Sequence, residues 1–323
     1  MFDPSFDFDA AFSAPFRMQP GLRRLADGAS QLTPNVAPER GTACHLREKL
    51  AVLQAFPTQA LLSRDGFDAG PALDALARHA AREHRQAFAI DATLWRAPIL
   101  GWAVDPAGSV HELEPGRTPW PEVGDCLLAL PAHWRRATLL SLAFAEDFAI
   151  IDGSDATIPW LAVALPSHWA PEHKVGRSFA EVHSPMADNR LITGAASHLA
   201  RLVTGSERWE RLVWTIARHP RLHAHPDRVD PAPWPDHLEG DALAALAWWR
   251  TERQSFIPVH GLQQAVFVIH VEVHPLAQAL ADPARAARLH DALASMSPAV
   301  LEYRGLAAVR DRLLRWLAGR SAR

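Results

Sequence analysis

From Phe267 to Val273 the side chains sort into two faces by strict alternation. Phe267, Ile269, Val271 and Val273 fall on one side, and His270 and Glu272 on the other. A period of two fits only a strand, and a one-residue slip in pairing would turn every one of these side chains to the wrong face. The preceding run, 250–257, is joined to 264–273 by Pro258–Gln263, which makes the two a hairpin. In that partner strand Arg250, Glu252 and Gln254 share a face and Arg253 points the opposite way. A second pair, Leu142–Ile151 and Ile158–Leu165, flanks Asp152-Gly153, a turn signal. There Leu161, Val163 and Leu165 share one face, and Trp160, Ala162 and Ala164 the other. Shorter β-rich runs occupy 87–95, 99–104 and 108–113, with a turn at Asp105–Gly108.

Helical periodicity brackets this β-rich middle. Residues 42–64 and 71–86 read as helices, carried by Leu46, Leu50 and Leu53 and by Leu73, Leu76 and Ala80. Residues 189–204 form an amphipathic helix, with Leu191, Ala195, His198, Leu199 and Leu202 on one face and Gly205 as a stop. The stretch from about 275 to 318 is helical and ends on Leu313, Leu314 and Leu317. Residues 1–40 read as an extended arm, and 217–240, rich in Pro, His and Asp, as a loop. The long crossovers of a parallel sheet are missing. The expected fold is α+β, a mostly antiparallel sheet bracketed by N- and C-terminal helices. It forms one composite domain over 1–323: arm and helices to 86, core over 87–273, helices from 274.

Composition removes several functions. The formal net charge of -3 gives no electrostatic case for nucleic acid or an anionic membrane surface. Two cysteines exclude a disulfide scaffold and a cysteine-rich metal site, which points to a reducing cytoplasm. The first residues lack the basic start and apolar core of a signal peptide, and no apolar run reaches the length of a membrane span. A Gly-rich phosphate loop, a nucleotide fingerprint, HExxH and Gly-x-Ser-x-Gly are all missing. Twelve Trp and 17 His stand out, offering flat apolar surfaces and ligands or proton carriers. His219, His223 and His225 are placed in a solvated loop, because Pro220 and Pro226 oppose a helix. Cys126 precedes an apolar run and reads as a buried structural thiol.

One segment is unusual: Leu165-Pro-Ser-His-Trp-Ala-Pro-Glu-His-Lys-Val-Gly176, followed by Val182-His183-Ser184-Pro185. A strand ends, a Pro-Ser turn follows, then a Trp, a cationic His173-Lys174 pair, and a His beside a rigid bend. These are the parts of a heme pocket: flat apolar wall, cations for propionates, axial imidazole. The segment closely resembles the heme-dependent oxidative N-demethylase-like family in Pro166, Ser167, Trp169, Pro171, Lys174, Gly176, Val182, His183 and Pro185. Phe16–Leu22, Ala145–Asp147, Trp249–Gln254, Ala265–His270 and Tyr303–Gly305 resemble further family blocks in the same order. Two departures sit beside them. Met186-Ala187 replaces the second half of Pro-Val-Pro, and Arg211-Leu212-Val213-Trp214 lacks the family's Asn.

The resemblance implies a PAS-like antiparallel sheet holding heme b. It implies oxidation of a small methylated amine by O2 with release of formaldehyde. Electrons would come from separate reductase subunits carrying flavin and an iron–sulfur centre. The departures keep open a non-catalytic, PAS-like heme sensor. Within the resemblance His183 is the axial ligand or a turn-capping imidazole, and His173 is the second choice of ligand. Lys174 pairs with a propionate or lies at the surface. Arg253 does the same, or forms a structural ion pair with an acid such as Glu146 or Asp147. Glu252 orients an ammonium or relays protons, or is structural. Trp169 and Trp214 stack beside the porphyrin or fill the core.

Overall fold

The computed structural model describes residues 6–12, 15–35, 44–91, 93–229 and 233–321. In the N-terminal third, α1 (Phe8–Ala11) and β1 (Arg23–Arg24) belong to the arm. Then come α2 (Cys44–Ala55), α3 (Pro57–Ala60), β2 (Leu61–Ser63) and α4 (Gly70–Glu83). The expected helix over 42–64 is therefore broken: Pro57 starts a new turn, and the chain leaves it as a strand. Residues 42 and 43, and parts of the arm, lie outside the described residues.

Four short strands follow: β3 (Ala89–Ile90), β4 (Trp95–Ala97), β5 (Trp102–Val104) and β6 (Val110–Glu112). They form a separate antiparallel sheet in that order. Helices α5 (Pro121–Ala129) and α6 (Ala132–Ala143) lead into the hairpin β7 (Asp147–Asp152) and β8 (Thr157–Ala162). The expected strand over Leu142–Ile151 thus starts at Asp147, and Leu142 ends a helix instead.

The chain continues through α7 (Phe179–His183), α8 (Arg190–Gly194), α9 (Ala196–Val203), β9 (Trp209–Ala217) and α10 (Gly240–Ala244). The long hairpin of β10 (Trp248–Val259) and β11 (Gln264–Pro275) comes next, and α11 (Leu276–Ala279), α12 (Pro283–Ala294), α13 (Pro298–Tyr303) and α14 (Arg310–Ser321) close the chain. The hairpin lies where alternation placed it, two residues longer at three of its four strand ends.

The larger sheet has seven strands in the order β1-β9-β10-β11-β7-β8-β2, every neighbouring pair antiparallel. Residues directly opposite one another share a face, so register fixes what each face carries. Glu252 lies between Val213 and Val271, Arg250 between Thr215 and Val273, and Gln254 between Arg211 and Ile269. Phe256 pairs with Phe267, which pairs with Ala149, which pairs with Leu161.

The other face carries Phe148, Ile150, Trp160, Val266 and Val268. These join Leu46, Leu53, Leu76, Leu139 and Phe144 of the N-terminal half in the main hydrophobic core. A second core gathers Trp214, Trp249 and Phe8 with the C-terminal helices through Leu289, Leu313 and Leu317. Cys126 is buried among the main core residues, as expected, and burial pushes its thiol up to about 11. Among the described residues, no helix is long and apolar enough to cross a membrane.

Candidate functional site

The face holding Arg250, Glu252 and Gln254 is roofed over, and a cavity of about 660 Å³ lies between sheet and roof. That is within the size of small-molecule and cofactor sites, roughly 300–1,000 Å³. Its floor is Arg211 and Val213 of β9, the three β10 polar residues with Phe256, Phe267 and Ile269 of β11, and Ala149 and Leu161 of the β7–β8 hairpin. The roof is the segment Ser167–Ile192, helped by Leu199 and Val203 of α9. Met18 and Leu22 of the arm, His219 and Trp234 of the 218–234 loop, and Tyr303-Arg304-Gly305 complete the wall.

Buried charge fixes the roof segment. Asp147 accepts the Leu165 N–H at 2.6 Å and pairs with the buried Lys49 at 3.2 Å. Arg250, 1% exposed, donates to Ser167 Oγ (2.8 Å) and to the carbonyls of Pro166, Arg221 and Leu222. It therefore ties the Pro-Ser turn to the 218–225 loop. A backbone bridge does the same: Ala224 N–H donates to Pro166 O and His168 N–H to Ala224 O. His168 takes a left-handed φ of 62°, which a non-glycine residue adopts only under such constraint. Gly176, at φ 72°, turns the chain back so that its N–H meets Ile158 O.

His183 ends the five-residue helix α7, which opens on a reciprocal cap between Ser178 and Glu181. Its Nδ1 lies 2.7 Å from Phe179 O. A carbonyl only accepts, so Nδ1 carries the hydrogen and the lone pair is left on Nε2. Burial first lowers the ring to about 4, against the Phe179 carbonyl and with help from Arg211 and Lys174. The imidazole is therefore neutral, the form that ligates a metal.

Of the residues singled out in the sequence, His183, Lys174, Trp169, Trp214 and Glu252 line the cavity together. Lys174 donates to Val182 O at 2.8 Å. Trp214 stacks on Trp249 at 5.0 Å, so it serves the second core as well. Arg253 and His173 are not in the wall. Arg253 points to the other face and binds Glu210 at 2.9 Å, so its acid is neither Glu146 nor Asp147. His173 stands exposed on the short 3-10 turn Pro171–His173.

The 217–240 loop is not the solvated one expected. His225 is 1% exposed and bonds Glu172 at 3.0 Å. Glu48 accepts the N–H groups of Leu222 and His223. Glu172, His225 and Asp227 converge closely enough to suggest a metal site. However, the Asp227 N–H donates to His225 Nδ1, which puts the ring hydrogen on Nε2 and engages it with Glu172.

Sequence reasoning gave Arg211 and His168 no role in the site, and placed His219 in a solvated loop rather than in the cavity wall. Arg211 Nε is buried without a hydrogen-bond partner, and Glu252 lies diagonally across from it on the floor. Among the described residues, the lining thus carries Lys174, Arg211, Arg218, Arg250 and Arg304 against one carboxylate, Glu252. A flat, largely apolar group with two carboxylates, such as heme, fits this donor set. The model of the family "Haem-dependent oxidative N-demethylase, alpha subunit-like" matches residues 131–314. The chain belongs to this family. The matched span holds every cavity-floor strand, the whole roof segment and the 218–234 loop. The family's name carries heme dependence and an alpha-subunit role, and the cation-rich cavity with a neutral imidazole suits the first.

Proposed function

We propose that the cavity binds heme b with His183 Nε2 as axial ligand, and that the chain is the catalytic subunit of an oxidative N-demethylase acting on a small methylated amine. The observation that carries this reading is the His183 tautomer: Nδ1–H spent on Phe179 O, with a lone pair on Nε2 in a wall rich in cations. A ligating histidine commonly donates its other N–H in this way. We read the large sheet with its one-sided cavity as PAS-like.

Heme, when bound, supplies the redox chemistry with O2 that removes a methyl group as formaldehyde. The protein's own part is binding and proton placement. Lys174 and Arg304 offer donors to propionates. Glu252, 8% exposed and held by Gln254 Nε2, accepts an N–H from a substrate ammonium and fixes its methyl group. Arg211 supplies N–H donors beside it. The apolar floor of Ala149, Leu161, Phe256 and Phe267 excludes water. Electrons come from separate flavin and iron–sulfur subunits, since the sequence has no nucleotide fingerprint of its own. Free Cys44 and Cys126 suit the cytoplasm.

Hemin added to the purified protein should give a Soret band that His183→Ala shifts or abolishes. An unchanged band in that variant would overturn the ligand assignment. A second reading, a heme sensor without chemistry, rests on Val213. It stands opposite Glu252 where the family pattern has Asn, and so leaves the acid one polar neighbour fewer. Formaldehyde released from dimethylamine by the reduced, heme-loaded protein in O2 would eliminate the sensor.

A further inference from the structure

His168 and His219 lie side by side in the cavity wall, ring centroids 5.4 Å apart and ring planes inclined at 57°. Both ring nitrogens of His219 are buried without a hydrogen-bond partner. Each such orphan carries an uncompensated desolvation cost unless something fills the gap. Nothing about the pair is loose. His168 is held in its left-handed backbone by Ala224, and His219 sits at the start of a loop pinned by Arg250 and Glu48. Rigid placement of unsatisfied polar groups is how a binding subsite is built.

Charge decides what the subsite takes. His168 is exposed and His219 half-buried, and partial loss of hydration, then Arg250, lower both imidazoles to about 4, so both are neutral. Two neutral imidazoles could in principle hold a metal dication, but Arg250 beside both and Arg221 beside His219 repel one. The same cations favour an anion, and each imidazole contributes an N–H. Heme's two propionates and Glu252 together still leave a positive charge in excess among Lys174, Arg211, Arg250 and Arg304. Glu252 is two residues from Arg250 on the same strand face, about 7 Å away by strand rise. One small molecule can therefore present an ammonium to Glu252 and a carboxylate to this part of the wall.

We infer that His168 and His219, backed by Arg250, form a carboxylate subsite, and that the amine oxidised by this chain is an N-methylated amino acid. The inference rests on the heme-dependent reading above. A heme propionate offers the same chemistry, so the test separates the two sources. Heme-loaded protein is titrated with N-methylglycine and with dimethylamine, following the Soret band. N-methylglycine should bind at least tenfold more tightly. His168→Phe and His219→Phe should each remove that preference, His219→Asn should retain part of it, and dimethylamine affinity should stay within twofold.

The same variants are then titrated with hemin and with its dimethyl ester. Weaker hemin binding with unaltered ester binding, and no preference for N-methylglycine, assigns the subsite to a propionate and overturns the substrate class. If neither carboxylate responds to the variants, the subsite itself is refuted. If the wild type gives no Soret band, the heme reading fails instead. The heme-free protein then decides the subsite: N-methylglycine should shift the His168 and His219 ring-proton resonances, assigned through the two Phe variants, and the absence of a shift refutes it.

Discussion

A single buried lysine braces the carboxylate from which the roof segment starts. Lys49 is 0% exposed and reaches Ser141 O at 3.0 Å, Phe144 O at 3.1 Å and Asp147 at 3.2 Å. Burial pulls it below the ordinary lysine range, against Asp147 and Glu146. Removing one partner of a buried pair leaves an uncompensated charge, which costs about 3–5 kcal/mol. Lys49→Met should lose that much in urea unfolding, and Lys49→Met with Asp147→Leu should lose less than the two single changes combined. A loss below about 1 kcal/mol for the single variant would show that the pair is not needed. The sequence marked Asp147 as part of a family-like block, but its partner is 98 positions away and no local pattern joins them. The same holds in the cavity. His183, Lys174 and Glu252 were legible because they sit in a recognisable segment or on an alternating strand. Arg211, His168 and His219 gain meaning only when β9 and the 218–225 loop come to lie beside that segment.

At the scale of elements, periodicity revealed strands whose two faces differ in polarity and missed elements whose faces do not. The β10–β11 hairpin was legible because Phe267, Ile269 and Val271 alternate with His270 and Glu272 on the opposite face. Strand β9 escaped because Arg211, Val213 and Thr215 on the cavity side mix charge with apolar bulk, which blurs alternation. Helix α6 escaped for the opposite reason: every residue from Ala137 to Ala143 is buried, so no stripe stands out. Helix α7 shows how much can depend on a small element. None of its five residues is fully buried, so a helix this short depends heavily on its cap. Ser178 Oγ accepts Glu181 N–H at 3.3 Å, and Glu181 Oε2 accepts Ser178 N–H at 2.8 Å. Losing a cap of this kind costs about 1 kcal/mol. Ser178→Ala should therefore weaken hemin binding about fivefold through His183 while leaving the midpoint of global unfolding within error. Unchanged hemin affinity would mean that α7 is held by something other than its cap.

For the whole molecule, the histidines fall into two electrostatic regimes, and pH should expose both. Loss of hydration lowers His168 and His219 in the cavity wall and His45 beside His270, each to about 4. Unfolding restores their ordinary value near 6.5. The unfolded chain therefore binds more protons between about 4 and 6.5, and stability must rise with pH across that window. His270 behaves oppositely. Burial alone would lower it, but the Glu146 bond at 2.9 Å and the Glu272 carboxylate outweigh burial and raise it to about 10. The native state then holds the extra proton between about 6.5 and 10. Its contribution is complete below 6.5 and fades above, at no more than about 1.4 kcal/mol per pH unit. The two slopes meet near neutrality. Heme-free protein should therefore show its highest melting temperature at about pH 6.5–7, a fall on the acid side steeper than on the alkaline side, and an alkaline limb that Glu146→Gln flattens. A melting temperature that climbs from pH 7 to 9 would contradict a protonated His270 and, with it, the ion pair that joins β11 to the segment carrying Glu146 and Asp147.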